Sequence, residues 1–233
     1  MSSRFKEEEI SKNKQLRLEY VKDFVEFDDD DIQALKSAGP VLGPVLPNLI
    51  DQVYFKLFSY DPTKQVFVQR YGSLDQATGE KILTLDSSAI KGRKDFLTRW
   101  VKMIIAGDYE SGQIWKYMER VGVVHAGASL KHGPPLFVCL RDCLLLFGWL
   151  ETILVKTLLD VPDSMLSIEE KARTIAAFNK VLWIQAEFFS HAQEKDQPPR
   201  SEILMSKPVG FALMVVALST IVTAICWKLA TGI

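Results

Sequence analysis

The sequence is poor in the residues from which metal clusters and disulfide frameworks are built. Only three cysteines and three histidines occur among its 233 residues. An odd number of cysteines without CxxC spacing argues against both a disulfide framework and a zinc site, and it indicates a reducing compartment. An excess of charge of one sign is lacking as well, because 28 basic residues face 29 acidic ones. This balance gives no electrostatic case for a nucleic-acid partner.

Signals of several enzyme classes and of export are also missing. No HExxH, GxSxG, P-loop or GxGxxG motif occurs, which argues against zinc hydrolases, α/β-hydrolases and nucleotide-binding folds. The charged N-terminus contains no apolar run of the kind that a secretory signal needs. Alternating apolar and polar residues joined by hairpin turns are absent too, so no sheet is predicted.

The larger part of the chain instead shows one helical pattern after another. One predicted helix runs through Ile32, Leu35 and Ala38 and is capped by the acidic residues 28–31. The other predicted helices cover residues 14–25, 48–60, 63–70, 87–106, 109–125 and 136–159, and the last of these is the longest. Pro40, Pro44 and Pro47 are predicted to interrupt or kink the chain before Asn48. Ser167 and Glu170 form a capping box that opens one more helix, with Phe178, Leu182 and Phe189 on its buried face. We therefore expect a helical domain over residues 14–194, after a flexible N-terminus at 1–13.

One long uncharged apolar run is present, at residues 208–227, between Lys207 and Lys228. About 20 such residues rising 1.5 Å each cross the ~30 Å hydrocarbon core of a bilayer. A membrane anchor is therefore predicted over residues 208–229, behind a linker at 195–207. Without an N-terminal signal, insertion would follow synthesis, so the helical domain is expected to face the cytosol from the endoplasmic reticulum or the mitochondrial outer membrane.

His125 has the most informative setting of the three histidines. It ends the predicted helix 109–125 and precedes a glycine-containing loop at 126–135. A histidine there either compensates the helix dipole or binds a ligand, and spacing alone leaves both interpretations open. His132, in the loop, is the rival ligand, whereas His191 is expected on the surface near the end of the last helix.

Three groups of segments, taken together, resemble the protoglobins and the globin domains of globin-coupled sensors. The first comprises residues 93–100, Asp108-Tyr109 and residues 120–125; the second comprises 30–39 and 49–54; the third is 167–172. The likeness covers about residues 17–191. It implies an all-α, globin-like fold of the globin-sensor type with an extra N-terminal helix, to which the predicted transmembrane helix is added.

The resemblance also implies a haem b cofactor, with His125 as the proximal iron ligand and Tyr54 as the distal hydrogen-bond donor to a bound gas. Further haem contacts are expected from Leu97 (or Phe96, if the alignment shifts by one residue), Trp100 and Phe147. Candidates for the haem propionates are Arg93, Lys94 and Arg99, although a solvated helix face accounts for at least two of them. Cys139 and Cys143 are interpreted as small core residues.

The function that the resemblance implies is binding of oxygen, carbon monoxide or nitric oxide at a five-coordinate iron, by a membrane-tethered sensor or scavenger rather than an enzyme. A first alternative is a haem enzyme, a nitric-oxide dioxygenase or peroxidase-like protein, served by a separate reductase. A second is a haem-free, tail-anchored helical protein that grips partner helices in an apolar groove. A homodimer and a separate signalling partner are compatible with the leading interpretation.

Overall fold

The computed structural model describes residues 4–72, 83–128 and 136–194, and within these ranges it contains helices and no strand. The helices are α1 (Glu7–Ile10), α2 (Lys14–Phe24), α3 (Asp29–Phe58), α4 (Asp61–Tyr71), α5 (Ser88–Ala106), α6 (Gln113–His125), α7 (Leu140–Leu159) and α8 (Ile168–Glu194). The predicted all-α class is thereby confirmed. By contacts the chain divides into two units, Met1–Glu194 and Lys195–Ile233. The predicted linker and anchor belong to the second unit and lie outside the described residues.

The prediction that prolines interrupt the chain before Asn48 is wrong. Helix α3 runs without a break for 30 residues and contains Pro40, Pro44 and Pro47 in its interior. All three prolines are exposed, whereas Leu42, Leu46 and Ile50 on the opposite face are buried. The carbonyl groups that lose a hydrogen bond to each proline therefore face water, which satisfies them. At the N-terminus of α3 the Asp28 and Asp31 side chains form a capping box.

Two helices begin later than their apolar patterns predict. Before α6, the Asp108 carboxylate accepts hydrogen bonds from the backbone N–H groups of Glu110 and Ser111, and Gly112 then adopts a left-handed conformation. This turn delays the start of the helix by about one turn. Helix α7 begins only at Leu140 and is shorter than both α3 and α8, so it is not the longest helix.

Helix α8 packs against α2, α3, α6 and α7 and is the central element of the first unit. Its predicted capping box is confirmed: the Ser167 N–H donates to the Glu170 carboxylate at 2.8 Å, and the Glu170 N–H donates to the Ser167 hydroxyl at 3.3 Å. In its middle, the fully buried Gln185 accepts a hydrogen bond from the Trp100 indole N–H at 3.1 Å and donates to the Met118 carbonyl at 3.0 Å. One buried amide thus joins α5, α6 and α8.

The apolar core consists of two clusters. The larger is built on α3, α5, α6 and α8, and the smaller surrounds Val53, Tyr54 and Ile90. Leu97 and Val101 of α5 pack against both clusters and are only partly buried. A globular domain usually has one contiguous core. Leu97 and Val101 therefore mark the region between the two clusters.

No helix within residues 4–72, 83–128 and 136–194 is long and apolar enough to cross a membrane.

Candidate functional site

His125 is the last residue of α6, and two backbone contacts hold the chain that follows it. The Val138 N–H donates to the His125 carbonyl at 2.9 Å, and an isolated antiparallel bridge pairs Ala126 with Phe137. The Gln193 side chain of α8 donates to the Val138 carbonyl at 2.9 Å. The end of α6 is thus fixed against the segment before α7 and against α8. The rival ligand His132 lies outside the described residues.

One ring nitrogen of His125 is already engaged, and no hydrogen bond of the other occurs within the described residues. Its Nδ1 lies 2.8 Å from the Val121 carbonyl oxygen, one turn back along α6. Because a carbonyl only accepts, we assign the proton to Nδ1, so that Nε2 carries the lone pair. A histidine that binds metal usually donates its other N–H to such a partner, which fixes the orientation of the ring. The contact therefore prepares His125 to bind a metal through Nε2.

The surroundings of His125 also favour its neutral form. Burial lowers the pKa of the imidazole to about 4, and the charges of Arg93 and Arg70 add to this effect. At neutral pH the ring is uncharged, as a metal ligand must be. Its side chain is nonetheless only half-buried by accessible surface.

Two phenylalanines pack beside the imidazole. The Phe189 ring of α8 lies 5.0 Å from the His125 ring, centre to centre. Phe147 of α7 stacks on Phe189, with ring centres 5.5 Å apart. The structure thus places Phe147 near His125 through Phe189. The position of Phe189 was predicted only as part of a buried helix face, because nothing in its local sequence indicates which ring it meets.

Tyr54 lies in the smaller cluster. Its side chain is buried, and its ring lies 5.9 Å from that of Phe67. Burial is the main cause that raises its pKa well above 10, so the group remains a donor at any physiological pH. A protonated phenol can donate a hydrogen bond to a molecule bound beside it.

The electrostatic influence of one side chain reaches both His125 and Tyr54. The positive charge of Arg93 lowers the pKa of the imidazole and, secondary to burial, lowers that of the phenol. Coulomb effects of this kind act over short distances. Arg93 is therefore within electrostatic reach of both candidate residues.

The remaining apolar candidates on α5 occupy different environments. Leu97 packs against both core clusters, whereas Phe96 is 52% exposed and the Arg99 guanidinium lies over its ring. Of these two alternatives, only Leu97 borders the region between the clusters. Trp100 is buried in the larger cluster, and its indole N–H is engaged by Gln185.

Lys94 and Arg99 contact other residues. The Lys94 ammonium pairs with the Asp51 carboxylate at 2.8 Å. Arg99 is exposed, with its guanidinium 4.4 Å from the centre of the Phe96 ring. Arg93 donates from its Nε to the Tyr71 hydroxyl at 2.7 Å, and its charge, unlike those of Lys94 and Arg99, is among the causes that lower the pKa of His125.

The cysteines differ from the prediction in one respect. Cys143 is buried, and burial raises the pKa of its thiol to about 12. Cys139 is exposed and forms the N-cap of α7, so the prediction that it is a core residue is wrong. No cluster of histidine, cysteine and carboxylate side chains able to hold a metal ion occurs within the described ranges.

Taken together, these observations describe a helical, globin-like protein with one oriented histidine at the end of a helix. The chain belongs to the protoglobin family, whose pattern matches residues 14–198. Among solved structures it is similar to the globin domain of the Geobacter sulfurreducens globin-coupled sensor, with a TM-score of 0.55 and 18% identity over 75% of this chain and 95% of that one. At that identity the likeness supports the fold. None of the curated proteins is similar enough in sequence to count as a relative.

Proposed function

We propose that this protein is a haem-binding globin that takes a diatomic gas between His125 and Tyr54, with His125 as the iron ligand. The observation that carries the proposal is the position of His125: it ends α6 with Nδ1 2.8 Å from the Val121 carbonyl oxygen, and burial lowers its pKa to about 4, which favours the neutral form. The protoglobin match supports the choice of haem as the cofactor, because globins hold haem iron through a proximal histidine.

The residues present fit a haem. An apolar, flat molecule suits the two aromatic side chains beside His125, Phe189 and Phe147, and a group with an acceptor atom suits the hydroxyl of Tyr54. When bound, haem would supply the iron to which the gas attaches. The chain supplies the rest: Val121 orients the imidazole, the apolar side chains exclude water, and Tyr54 donates a hydrogen bond to the gas.

An absorption spectrum of the full-length protein with added haem, with and without carbon monoxide, tests this proposal. We expect a Soret band that shifts with carbon monoxide in the wild type. In His125→Ala the band should weaken or change, because the iron loses its protein ligand. His132→Ala and His191→Ala are matched controls and should behave as the wild type. A folded protein that takes up no haem, or a spectrum that changes with His132→Ala instead of His125→Ala, would contradict the proposal.

We further propose that residues 208–227 attach the protein to a membrane, which would make it a local sensor or scavenger rather than a bulk gas store. What supports this is the uncharged apolar run of about 20 residues with lysines on both sides. The test is alkaline extraction of membranes from cells that express the full chain. We expect the wild type to stay with the membranes and the double variant Val215→Arg/Leu218→Arg to be released. Release of the wild type would refute membrane attachment.

A further inference from the structure

We infer that Arg70, Tyr71 and Arg93 form the receptor for the two carboxylates of haem, and that Lys94 and Arg99 have no part in it. This inference rests on the proposed haem-binding function and assigns a role to one end of the site. Nothing in the local sequence indicates Arg70 or Tyr71, since they end the short helix α4 whereas Arg93 lies on α5.

The three side chains meet at one atom. The Nε groups of Arg70 and Arg93 both donate to the Tyr71 hydroxyl oxygen, at 2.9 and 2.7 Å. Both guanidinium groups also lie near the face of the Tyr71 ring, at 5.4 and 5.5 Å from its centre. Two cations are thus held side by side on a neutral phenol, although like charges repel.

Donor atoms of both arginines remain unused. Nη1 of Arg70 and Nη2 of Arg93 are buried, and neither has a hydrogen-bond partner within the described parts of the chain. No carboxylate of those residues forms a salt bridge with either arginine, whereas Arg17, Lys94, Lys171 and Lys180 all have such partners. Burying unpaired charged donors is costly, so a site of this kind is arranged for an anion. Two guanidinium groups match an anion with two carboxylates.

The position of the cluster connects it to the haem site. Tyr71 packs against the smaller core cluster, which contains Tyr54, and Phe67, one turn earlier on α4, contacts the Tyr54 ring. Arg93 precedes Leu97 by one turn of α5. The cluster therefore lies beside Tyr54 and Leu97. The two propionates of haem leave the porphyrin on one edge, so a ring held between His125 and Tyr54 can present both to one cluster.

Comparison of haem with its dimethyl ester isolates the role of the carboxylates. The full-length protein, kept in mild detergent, is loaded with either porphyrin, and the rate of transfer to an excess of an apo-globin scavenger is measured. The wild type should lose the ester on the order of 100-fold faster than haem, since charge-assisted hydrogen bonds to two carboxylates are lost. In Arg70→Met/Arg93→Met the two rates should become equal. Each single variant should lose haem about 10-fold faster than the wild type.

Two variants serve as controls for this experiment. Lys94→Met removes the cation next to Arg93 on α5 and should leave both rates unchanged, because Lys94 pairs with Asp51. Arg70→Lys/Arg93→Lys retains both charges and should keep part of the preference for haem, even where the methionine variant folds poorly.

The outcomes separate the two proposals. A wild type that forms no Soret band with either porphyrin refutes haem binding itself, and this inference with it. A wild type that binds both porphyrins but releases them at equal rates refutes the carboxylate receptor alone. A preference for haem that survives in Arg70→Met/Arg93→Met also refutes the carboxylate receptor. It would show that other groups bind the propionates and that the two arginines bind an acidic side chain of the protein.

Discussion

Gly122 of α6 lies so close to α8 that a Cβ atom on it would stand 2.6 Å from the carbonyl oxygen of Phe188. Real Cβ atoms do not approach backbone oxygens to that distance, so any side chain there forces the two helices apart. His125 follows within one turn, and its ring contacts Phe189, the residue after Phe188. The absence of a side chain at one position thus fixes how the candidate metal ligand sits against the central helix.

Gly122→Ala is therefore expected to destabilise the protein. Alanine has a helix propensity about 1 kcal/mol more favourable than glycine, but separating the packed helices costs about 1–3 kcal/mol. The separation would also shift His125 relative to α8. Chemical denaturation should give a lower free energy of unfolding and faster haem loss. Gly148→Ala on α7 is the matched control, because a Cβ atom there meets nothing within 4 Å. It should be neutral or stabilising, and equal behaviour of the two variants would refute the packing argument.

The buried link between Trp100 and Gln185 leads to a second prediction. Gln185→Met keeps the volume of the side chain but leaves the Trp100 indole N–H without an acceptor, which should cost about 1–3 kcal/mol of stability. Trp100→Phe removes the donor, so in the double variant the two costs should overlap by about 1 kcal/mol. Gln33→Met makes the same change on the exposed face of α3 and should stay within about 0.5 kcal/mol of wild type. Strictly additive costs would show that the pair contributes little.

The capping box of α8 predicts a specific pH dependence. Hydrogen bonds from the Ser167 N–H and hydroxyl lower the pKa of the Glu170 carboxyl below its ordinary value of 4.5. A carboxyl whose pKa is lower in the folded state contributes stability that is fully present above 4.5 and is lost as the pH falls through the folded value. The denaturation midpoint of Glu170→Ala should therefore lie below that of wild type at neutral pH and approach it in acid.

Glu169→Ala is the control for this pH series. Glu169 lies in the same first turn of α8 and shares the attraction to the helix dipole, but the Ser167 N–H donates to Glu170. The difference between wild type and Glu169→Ala should be smaller and should vary less with pH. A gap for Glu170→Ala that is constant down to acid pH would mean that the cap works without its charge.

The helical class, most helix positions and the capping box follow from local sequence, because apolar period and caps act over a few residues. The continuity of α3 does not, since the cost of its prolines depends on whether they face water, as all three do. The resemblance predicts His125, Tyr54 and Leu97 as site residues, because a family pattern carries tertiary information. It does not predict Arg70, Tyr71 or Phe189, because their roles depend on which side chains of different helices are in contact.

The last prediction concerns the hydroxyl of Tyr54. Tyr54→Phe keeps the ring packed against Phe67 and removes only the donor, so haem binding and stability should change little. Bound oxygen carries more negative charge than bound carbon monoxide and gains more from a hydrogen bond. Oxygen should therefore dissociate on the order of 10–100-fold faster from the variant, with little change for carbon monoxide. Flow-flash or stopped-flow kinetics on the ferrous protein measures both rates.

Tyr109→Phe is the control for this prediction. The Tyr109 hydroxyl is also buried but donates to the Ile104 carbonyl at 2.7 Å, so its loss should lower stability without altering gas release. If oxygen leaves Tyr54→Phe at the wild-type rate, Tyr54 is a packing residue and the distal donor lies elsewhere.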